Sequence, residues 1–167
     1  MRTFMLSAMM VWLTVGCGQT TKVDNSVVNS MEINRFLGHW YEIARYDHSF
    51  ERGMEYTEAE YTLRDDGNIN VVNTGIKNNK RKTSNGRAKL TETPGLLRVS
   101  FFRPFYSDYR VMMIDKDYQH ALIGSGSDKY LWILSRKPQL TAETKSNILK
   151  EAKRRGYDTD RLIWVKQ

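Results

Sequence analysis

Side chains of the types that most often carry out chemistry are few and scattered along this sequence. His39, His48 and His120 fall on different segments without the spacing of metal ligands, and Cys17 is the single cysteine. No G-x-S-x-G, H-E-x-x-H or glycine-rich phosphate motif is present. The sequence therefore predicts neither an enzyme nor a cofactor or metal site, and it excludes an intramolecular disulfide.

The residues before Cys17 indicate that this cysteine is a site of lipid attachment. Arg2 and an apolar run over residues 4–16 have the layout of a signal peptide, and the run is too short to span a bilayer. The four residues before Cys17 resemble the lipobox of bacterial lipoproteins, although Thr14 stands where the motif prefers Leu. We expect residues 1–16 to be removed and Cys17 to become a lipid anchor; an ordinary cleaved signal is the alternative. Gly18 in the next position implies the outer membrane, at its periplasmic face.

Length and charge limit the domain count and the partners. The 167 residues suit one domain, and the net charge of +7 favours anionic partners. Lysines and arginines are spread along the chain, with short clusters only at residues 77–82 and 150–155. Because a nucleic-acid-binding protein needs a concentrated basic patch, we expect no nucleic acid. Attraction to anionic membrane surfaces is the more economical explanation of the charge, and a solvated face with no specific partner is the default. The polar residues 17–30 are predicted to form a flexible tether, and residues 31–167 the folded domain.

The elements that would position any site are short β-strands. Eight runs rich in β-forming residues are separated by turn signals, of which 65–68 and 93–95 are specific. The runs are 39–46, 56–63, 69–76, 86–91, 96–102, 109–114, 120–124 and 130–135. Eight consecutive antiparallel strands can close into a barrel whose interior is either filled by side chains or holds a ligand.

One later segment is predicted to be helical. Thr141 can cap it, Ile148, Leu149 and Ala152 form a narrow apolar stripe, and Gly156 ends it. The narrow stripe suits packing against the outside of the barrel. Residues 162–165 are then a short closing strand.

Three motifs carry a resemblance to a known family. Gly38 and Trp40 form a G-x-W at the start of the first strand, Asp108 lies in a Ser-Asp-Tyr entering the sixth, and Arg136 follows the eighth. This order resembles the lipocalins, and the surrounding sequence from residue 31 onward is similar to the bacterial outer-membrane lipocalins related to apolipoprotein D. The resemblance implies an all-β, eight-stranded up-and-down antiparallel barrel with a ligand cup. It also implies that these four residues are structural, with Arg136 over the Trp40 ring at the closed end.

Strand alternation, started from the motif positions, predicts which side chains face the cup. The expected ligand-binding residues are Tyr61, Asn73, Leu97, Val99, Phe101, Tyr109, Val111, Met113, Trp132 and Leu134, with Ala59, Leu63 and Val71 also inward. Resemblance to apolipoprotein D marks six of these positions directly, namely Tyr61, Asn73, Phe101, Tyr109, Trp132 and Leu134. An apolar lining with a few polar groups suits a fatty acid or a lysophospholipid. There are two alternatives. One is a lipocalin-fold enzyme acting on a lipid, which would need a strongly perturbed titratable group in the cup. The other is an envelope interaction protein whose barrel is filled by its own side chains. A homodimer is left open.

The stretch from residue 47 to 54 is expected to form a lid loop across the open end. Phe50 is predicted to point into the mouth, and His48, Glu51 and Arg52 to be solvated. Arg52 and Arg103, near the rim, could attract an anionic headgroup.

Overall fold

The computed structural model describes residues 23–167, and all structural statements below concern that part of the chain. The predicted signal peptide and the predicted anchor, Cys17, lie outside it. The elements in chain order are α1 (Ile33–Phe36), β1 (Gly38–Tyr46), β2 (Glu55–Leu63), β3 (Ile69–Lys77), β4 (Lys80–Leu90), β5 (Leu96–Phe102), β6 (Phe105–Ile114), β7 (His120–Gly124), β8 (Leu131–Ser135), α2 (Ala142–Arg154), a 3₁₀ helix (Thr159–Arg161) and β9 (Leu162–Trp164).

The strands form one antiparallel sheet that closes on itself. The order is β2-β3-β4-β5-β6-β7-β8-β1-β9, and an additional pairing of β1 with β2 closes the barrel. Each strand through β8 pairs with its neighbour along the chain, so the connections alternate between two ends. The eight-stranded up-and-down barrel predicted from the sequence is confirmed.

The hairpin between β3 and β4 was not signalled clearly by the sequence. β4 begins at Lys80, six residues before the predicted start. The sequence did not indicate these six residues, because the first half of β4 is polar and exposed and shows no apolar alternation. Asn78 and Asn79 both have positive φ, of 52° and 57°, as a tight two-residue hairpin turn requires. Asparagine tolerates that conformation better than most residues, which accounts for the pair.

The first strand changes partner along its length. Residues 38–41 pair with β2, whereas Ala44, Arg45 and Tyr46 pair with β9. Where β1 and β2 separate, the C-terminal residues join them: the Tyr56 N–H donates to the Lys166 carbonyl at 2.7 Å, and Gln167 donates to β1 and β2 carbonyls. The final strand therefore completes the barrel wall near one end.

Helix α2 packs on the outside of the barrel, as predicted. Thr141 caps it by accepting a hydrogen bond from the Thr144 N–H, and Ile148 and Ala152 are buried against a cluster on the outer face of the sheet. Within that cluster lies Met113, which the sequence analysis placed inside. A bulge between Val111 and Met113 breaks the two-residue alternation, so Met113 pairs with the outward-facing Leu122.

Residues 23–30 lie along the barrel, and the flexible-tether prediction is wrong for them. The Asp24 N–H donates to the Arg155 carbonyl at 2.8 Å, Asn25 donates to the Ser125 carbonyl at 3.1 Å, and the Val28 N–H donates to the Val111 carbonyl at 3.0 Å. From residue 23 to the C-terminus, no helix is long and apolar enough to cross a membrane.

Candidate ligand-binding cup

One end of the barrel is closed by Arg136. Its guanidinium lies 3.8 Å from the centre of the Trp40 ring and donates to five backbone carbonyls. The shortest of these bonds, 2.6 Å, reaches the His39 carbonyl. Gly38 has a φ of +91°, a backbone conformation that favours glycine, whereas a Cβ there would make only an ordinary contact, 3.5 Å from an Arg136 nitrogen. These contacts tie α1, β1 and the segment after β8 together.

Aromatic rings form the inner floor above that seal. Phe36 contacts Trp40 and Tyr61 at ring-centre distances of 5.2 and 5.3 Å, and the Tyr61 and Tyr109 hydroxyls are 2.9 Å apart. Burial raises the pKa of both phenols, so they stay neutral and exchange one hydrogen bond. The floor is thus apolar with a single polar pair.

A cavity of about 860 Å³ occupies the other half of the barrel and opens at its end. Most of the predicted ligand-binding residues line it, namely Tyr61, Asn73, Val99, Phe101, Tyr109, Trp132 and Leu134, together with Ala59 and Val71. The size is within the range of about 300–1,000 Å³ typical of small-molecule sites. A barrel filled by its own side chains is therefore wrong for this protein.

Four of the predicted inward residues do not line the cavity. Leu97 and Val111 are fully buried in the apolar core towards the closed end, where neighbouring side chains fill the space. Leu63 lies at the closed-end terminus of β2 and is 53% exposed. Met113 lies outside because of the bulge described above.

Two buried oxygens beside the cavity have no partner among the described residues. Asn73 Oδ1 and Ser100 Oγ are shielded and accept or donate no hydrogen bond. Both residues line the cavity, and Ser100 is only 4% exposed. Because unsatisfied buried oxygens are costly, they are places where a ligand donor would be stabilised. Sequence patterning predicted Asn73 but gave no sign of Ser100.

A cluster of ionisable side chains lies under the lid loop, and the expectation that His48 and Glu51 are solvated is wrong. They are 6% and 7% exposed, with His48 Nε2 2.9 Å from Glu51 Oε2. Trp132 Nε1 donates to the same oxygen at 3.1 Å. The lid therefore buries these side chains against Trp132, although neither ring nitrogen of His48 has a hydrogen-bond partner among the described residues. Arg52, which pairs with Asp47 on the surface, is exposed as expected.

Arg45 and Glu42 complete this lid cluster, which we define as Glu42, Arg45, His48 and Glu51. Arg45 Nη1 donates to Glu42 Oε1 at 2.6 Å, and Nη2 donates to the Glu51 and Met54 carbonyls at 2.8 and 3.0 Å. Burial, reinforced by the neighbouring Glu51 carboxylate, raises the pKa of Glu42 to about 8. The carboxyl lines the cavity, so it meets the criterion of a perturbed titratable group in the cup.

Asp108, the remaining motif residue, joins neighbouring strands on the barrel wall. It accepts from Arg98 at 2.6 Å and from Arg110 at 2.9 Å. Arg103 lies at the exposed β5–β6 turn beside the mouth.

A closed antiparallel barrel with one sealed end and one open apolar cup defines a class of small-ligand-binding barrels. Residues 31–167 match the family model described as a lipocalin-like domain, and the chain belongs to the lipocalin family. It is 45% identical to the outer membrane lipoprotein Blc of Escherichia coli (strain K12), over 96% of this chain and 94% of that protein.

Two more distant similarities also cover most of the chain. The chain is 29% identical to apolipoprotein D of Mus musculus, over 84% of this chain and 79% of that protein. Insecticyanin from the tobacco hornworm Manduca sexta superposes with a TM-score of 0.70 at 22% identity, covering 86% of this chain and 85% of that chain. The last similarity concerns the fold alone.

Proposed function

We propose that the protein holds a fatty acid or a lysophospholipid in the cup, as a lipid-anchored store or carrier in the cell envelope. The observation that carries this proposal is the open cavity of about 860 Å³ with its apolar wall. Burying each methylene of an acyl chain contributes about 0.8 kcal/mol, so such a wall supplies affinity without specific contacts.

The polar groups of the cup favour a particular orientation. Glu42 and Glu51 are buried beside the cavity, and the raised pKa of Glu42 indicates that burial there disfavours negative charge, so a carboxylate or phosphate would be disfavoured next to them. Arg52 and Arg103 are exposed at the rim and attract such a group. The acyl tail therefore points towards Tyr61 and the floor, and the charged headgroup stays at the mouth.

Neutral polar atoms of the ligand have a separate place. Asn73 Oδ1 and Ser100 Oγ can each accept a hydrogen bond from a donor in the cavity. The glycerol hydroxyl of a lysophospholipid is such a donor, and a deprotonated fatty acid has none. This difference favours lysophospholipids over fatty-acid anions.

We propose an outer-membrane location through a lipid on Cys17. Support comes from the sequence around Cys17 and from the E. coli relative, which is named an outer membrane lipoprotein. Replacing Cys17 by Ser should leave the barrel intact and allow an alkaline carbonate wash, which removes peripherally bound protein, to release it from the membrane fraction. Retention after that wash would contradict anchoring at this residue.

The cup is tested by filling it. Val99 lines the cavity, and a tryptophan there occupies the space that an acyl chain would need. Val99→Trp should weaken binding of a fluorescent fatty acid by at least about tenfold, since several methylene contacts are lost. Val72→Trp is the matched control, because Val72 alternates with the inward Val71 and faces outward. Equal affinity in both folded variants would place the ligand elsewhere.

Glu42 favours one second candidate, an enzyme acting on a bound lipid. A buried carboxyl with a raised pKa beside a lipid cavity could move a proton. The alternative is that Glu42 has a purely structural role, as the buried partner of Arg45 at 2.6 Å. Incubating the unmodified protein and Glu42→Gln with lysophospholipid, followed by mass spectrometry of the lipid, separates the two: turnover by the unmodified protein alone would support catalysis.

A further inference from the structure

Large apolar side chains are exposed around the mouth of the cup. Phe102 and Phe105, at the tip of the β5–β6 hairpin, are 80% and 79% exposed, and Phe50 on the lid is 60% exposed. All three line the outer part of the cavity. Clustered exposed aromatics beside an opening are unusual on a surface that faces only water.

Basic side chains surround these rings without acidic partners. Lys80, Arg81 and Lys82 on the first half of β4 and Arg103 between the two phenylalanines are exposed. None of the four is in an ion pair within the described part of the chain. We define the docking rim as Phe50, Phe102, Phe105 and these four basic residues.

The opposite end of the barrel lacks this excess of positive charge. Its turns contain five carboxylates, those of Asp65, Asp66, Glu92, Asp115 and Asp117, which offset the basic residues Arg64, Lys116, Arg136 and Lys137 of the same end. A negatively charged surface would therefore attract the docking rim more strongly than the closed end. This asymmetry would orient the barrel with its mouth towards an anionic layer.

The path of the chain brings its N-terminal side to the same end. Asn25 donates to the carbonyl of Ser125, which follows the mouth-side end of β7, and the chain then runs towards the closed end, where Val28 meets Val111. Residues 18–22 separate Val23 from Cys17, a span of at most roughly 20 Å. An anchor at Cys17 would therefore hold the mouth, and not the closed end, close to the bilayer.

We propose that the docking rim lies against an anionic phospholipid bilayer. Phe102 and Phe105 insert at the interface between headgroups and acyl chains, and the basic residues contact the phosphates. The mouth then opens onto the lipid surface, so an acyl chain enters the cup without crossing water. This last consequence rests on the proposed cup, and the anchor's contribution rests on the proposed lipid at Cys17, but the docking of the rim itself requires neither.

Vesicle binding by the unanchored protein tests the rim. The mature chain, residues 17–167 with Cys17→Ser, contains every described element of the barrel and is sedimented with vesicles of equal parts phosphatidylethanolamine and phosphatidylglycerol. Replacing Phe102 and Phe105 together by Ser should weaken binding by at least about tenfold. The matched control replaces Leu63 and Leu90, exposed at the closed end, by Ser and should bind as the unmodified chain does.

Charge is tested by a second matched pair. Lys82→Gln with Arg103→Gln should lower the affinity and flatten its dependence on salt. Lys116→Gln with Lys137→Gln removes the same charge from exposed positions at the closed end and should leave both unchanged. Equal effects of the two pairs would mean that net charge alone directs binding, which overturns the proposal.

Orientation is measured on the lipid-anchored protein, whose modified Cys17 has no free thiol. A fluorophore attached at Arg103→Cys should be quenched by nitroxide-bearing phospholipids, whereas one at Asp117→Cys should not. Absence of vesicle binding by the unanchored chain, or quenching at position 117, would overturn the proposal. A third outcome would also overturn it: the unmodified chain is a dimer, the double Phe→Ser variant is a monomer, and the two bind vesicles equally. The rim would then join two copies of the chain. Fatty-acid titration of the same variants reports the cup separately.

Discussion

The two ends of this barrel are built from the same kinds of residue but use them differently. At the closed end, the guanidinium of Arg136 is placed over Trp40 and all its hydrogen bonds go to backbone carbonyls. At the open end, the guanidinium of Arg45 is paired with a carboxyl beside a second carboxyl. A cation satisfied by fixed backbone dipoles has one stable arrangement, whereas a group of titratable side chains changes its interactions with pH.

The difference separates stability from function along the barrel axis. The closed half is packed with apolar side chains up to the Tyr61–Tyr109 floor, where the cavity ends, whereas the open half contains the cup, the unpartnered Asn73 and Ser100 oxygens, and the exposed rim. Sites that bind ligands tolerate such local costs because the remaining structure is stable enough to impose them. Substitutions at the two ends should therefore change different measured properties.

The largest effect is expected at the closed end. Arg136→Ala removes the contact with Trp40 and five hydrogen bonds from a charged group, and should lower the free energy of unfolding by about 3 kcal/mol. For a domain of this size, the melting temperature should fall by about 6–12 °C. Thermal unfolding followed by circular dichroism measures this, and fatty-acid affinity at low temperature should be unchanged.

Arg98→Ala is the matched control for that loss. Arg98 also donates at 2.6 Å, to Asp108, but the Arg98 side chain is 46% exposed to water, which screens the pair. Exposed ion pairs contribute about 1 kcal/mol or less, so its melting temperature should change little. A changed ligand preference in Arg136→Ala without loss of stability would contradict the separation of the two ends.

At the open end, stability should depend on pH through Glu42. Its pKa is raised to about 8 by burial and by Glu51, from an ordinary value of 4.5. The folded state therefore binds the proton more tightly, so this stabilisation is complete below pH 4.5 and is lost as pH rises to about 8. The melting temperature should fall by a few degrees over that interval, and Glu42→Gln should remove the dependence.

Two carboxylates elsewhere show whether the effect belongs to the lid cluster. Glu55→Gln, at an exposed position of the same end, should keep the dependence. On α2, hydrogen bonds from Arg154 lower the pKa of Glu151 to about 2, so its contribution is lost only as pH falls through that value. A dependence between pH 5 and 8 that persists in Glu42→Gln would contradict the assignment.

Regular alternation is the reason the sequence predicted the barrel and most of the cup. Eight strand signals in order, with two clear turns, were sufficient for the fold, and counting by twos from the motif residues located Val99, Trp132 and others correctly within the wall of the cavity. Alternation fails across a bulge. One bulge moved Met113 outside, and another, between Glu42 and Ala44, places Arg45 inside opposite Trp132.

The rest of the site depends on tertiary contacts that no local pattern contains. Polar residues on the lid were expected in water, because nothing in the segment itself indicates that His48 and Glu51 meet Arg45 and Trp132 across the barrel. Likewise, alternation gives the face of a side chain but not its depth, so Leu97 was assigned to a cavity that ends above it.

The smallest expected effect is that of Ser100→Ala, which tests at a single side chain of the open end whether stability and ligand affinity change separately. Its hydroxyl is buried beside the cup without a partner, so Ser100→Ala removes an unsatisfied group and should leave the free energy of unfolding unchanged or raise it by up to about 1 kcal/mol. If the hydroxyl accepts a bond from a bound lysophospholipid, the same substitution should weaken that ligand by about three- to tenfold, the equivalent of one hydrogen bond. The affinity for a fatty-acid methyl ester, which has no donor, should stay the same and serves as the control. Parallel titrations of both ligands measure the difference.

Two outcomes would contradict this role of Ser100. An equal loss of affinity for the lysophospholipid and the methyl ester would mean that Ser100 affects only the shape of the cup. A loss of stability with no change in affinity for either ligand would mean that its hydroxyl is satisfied in the folded protein.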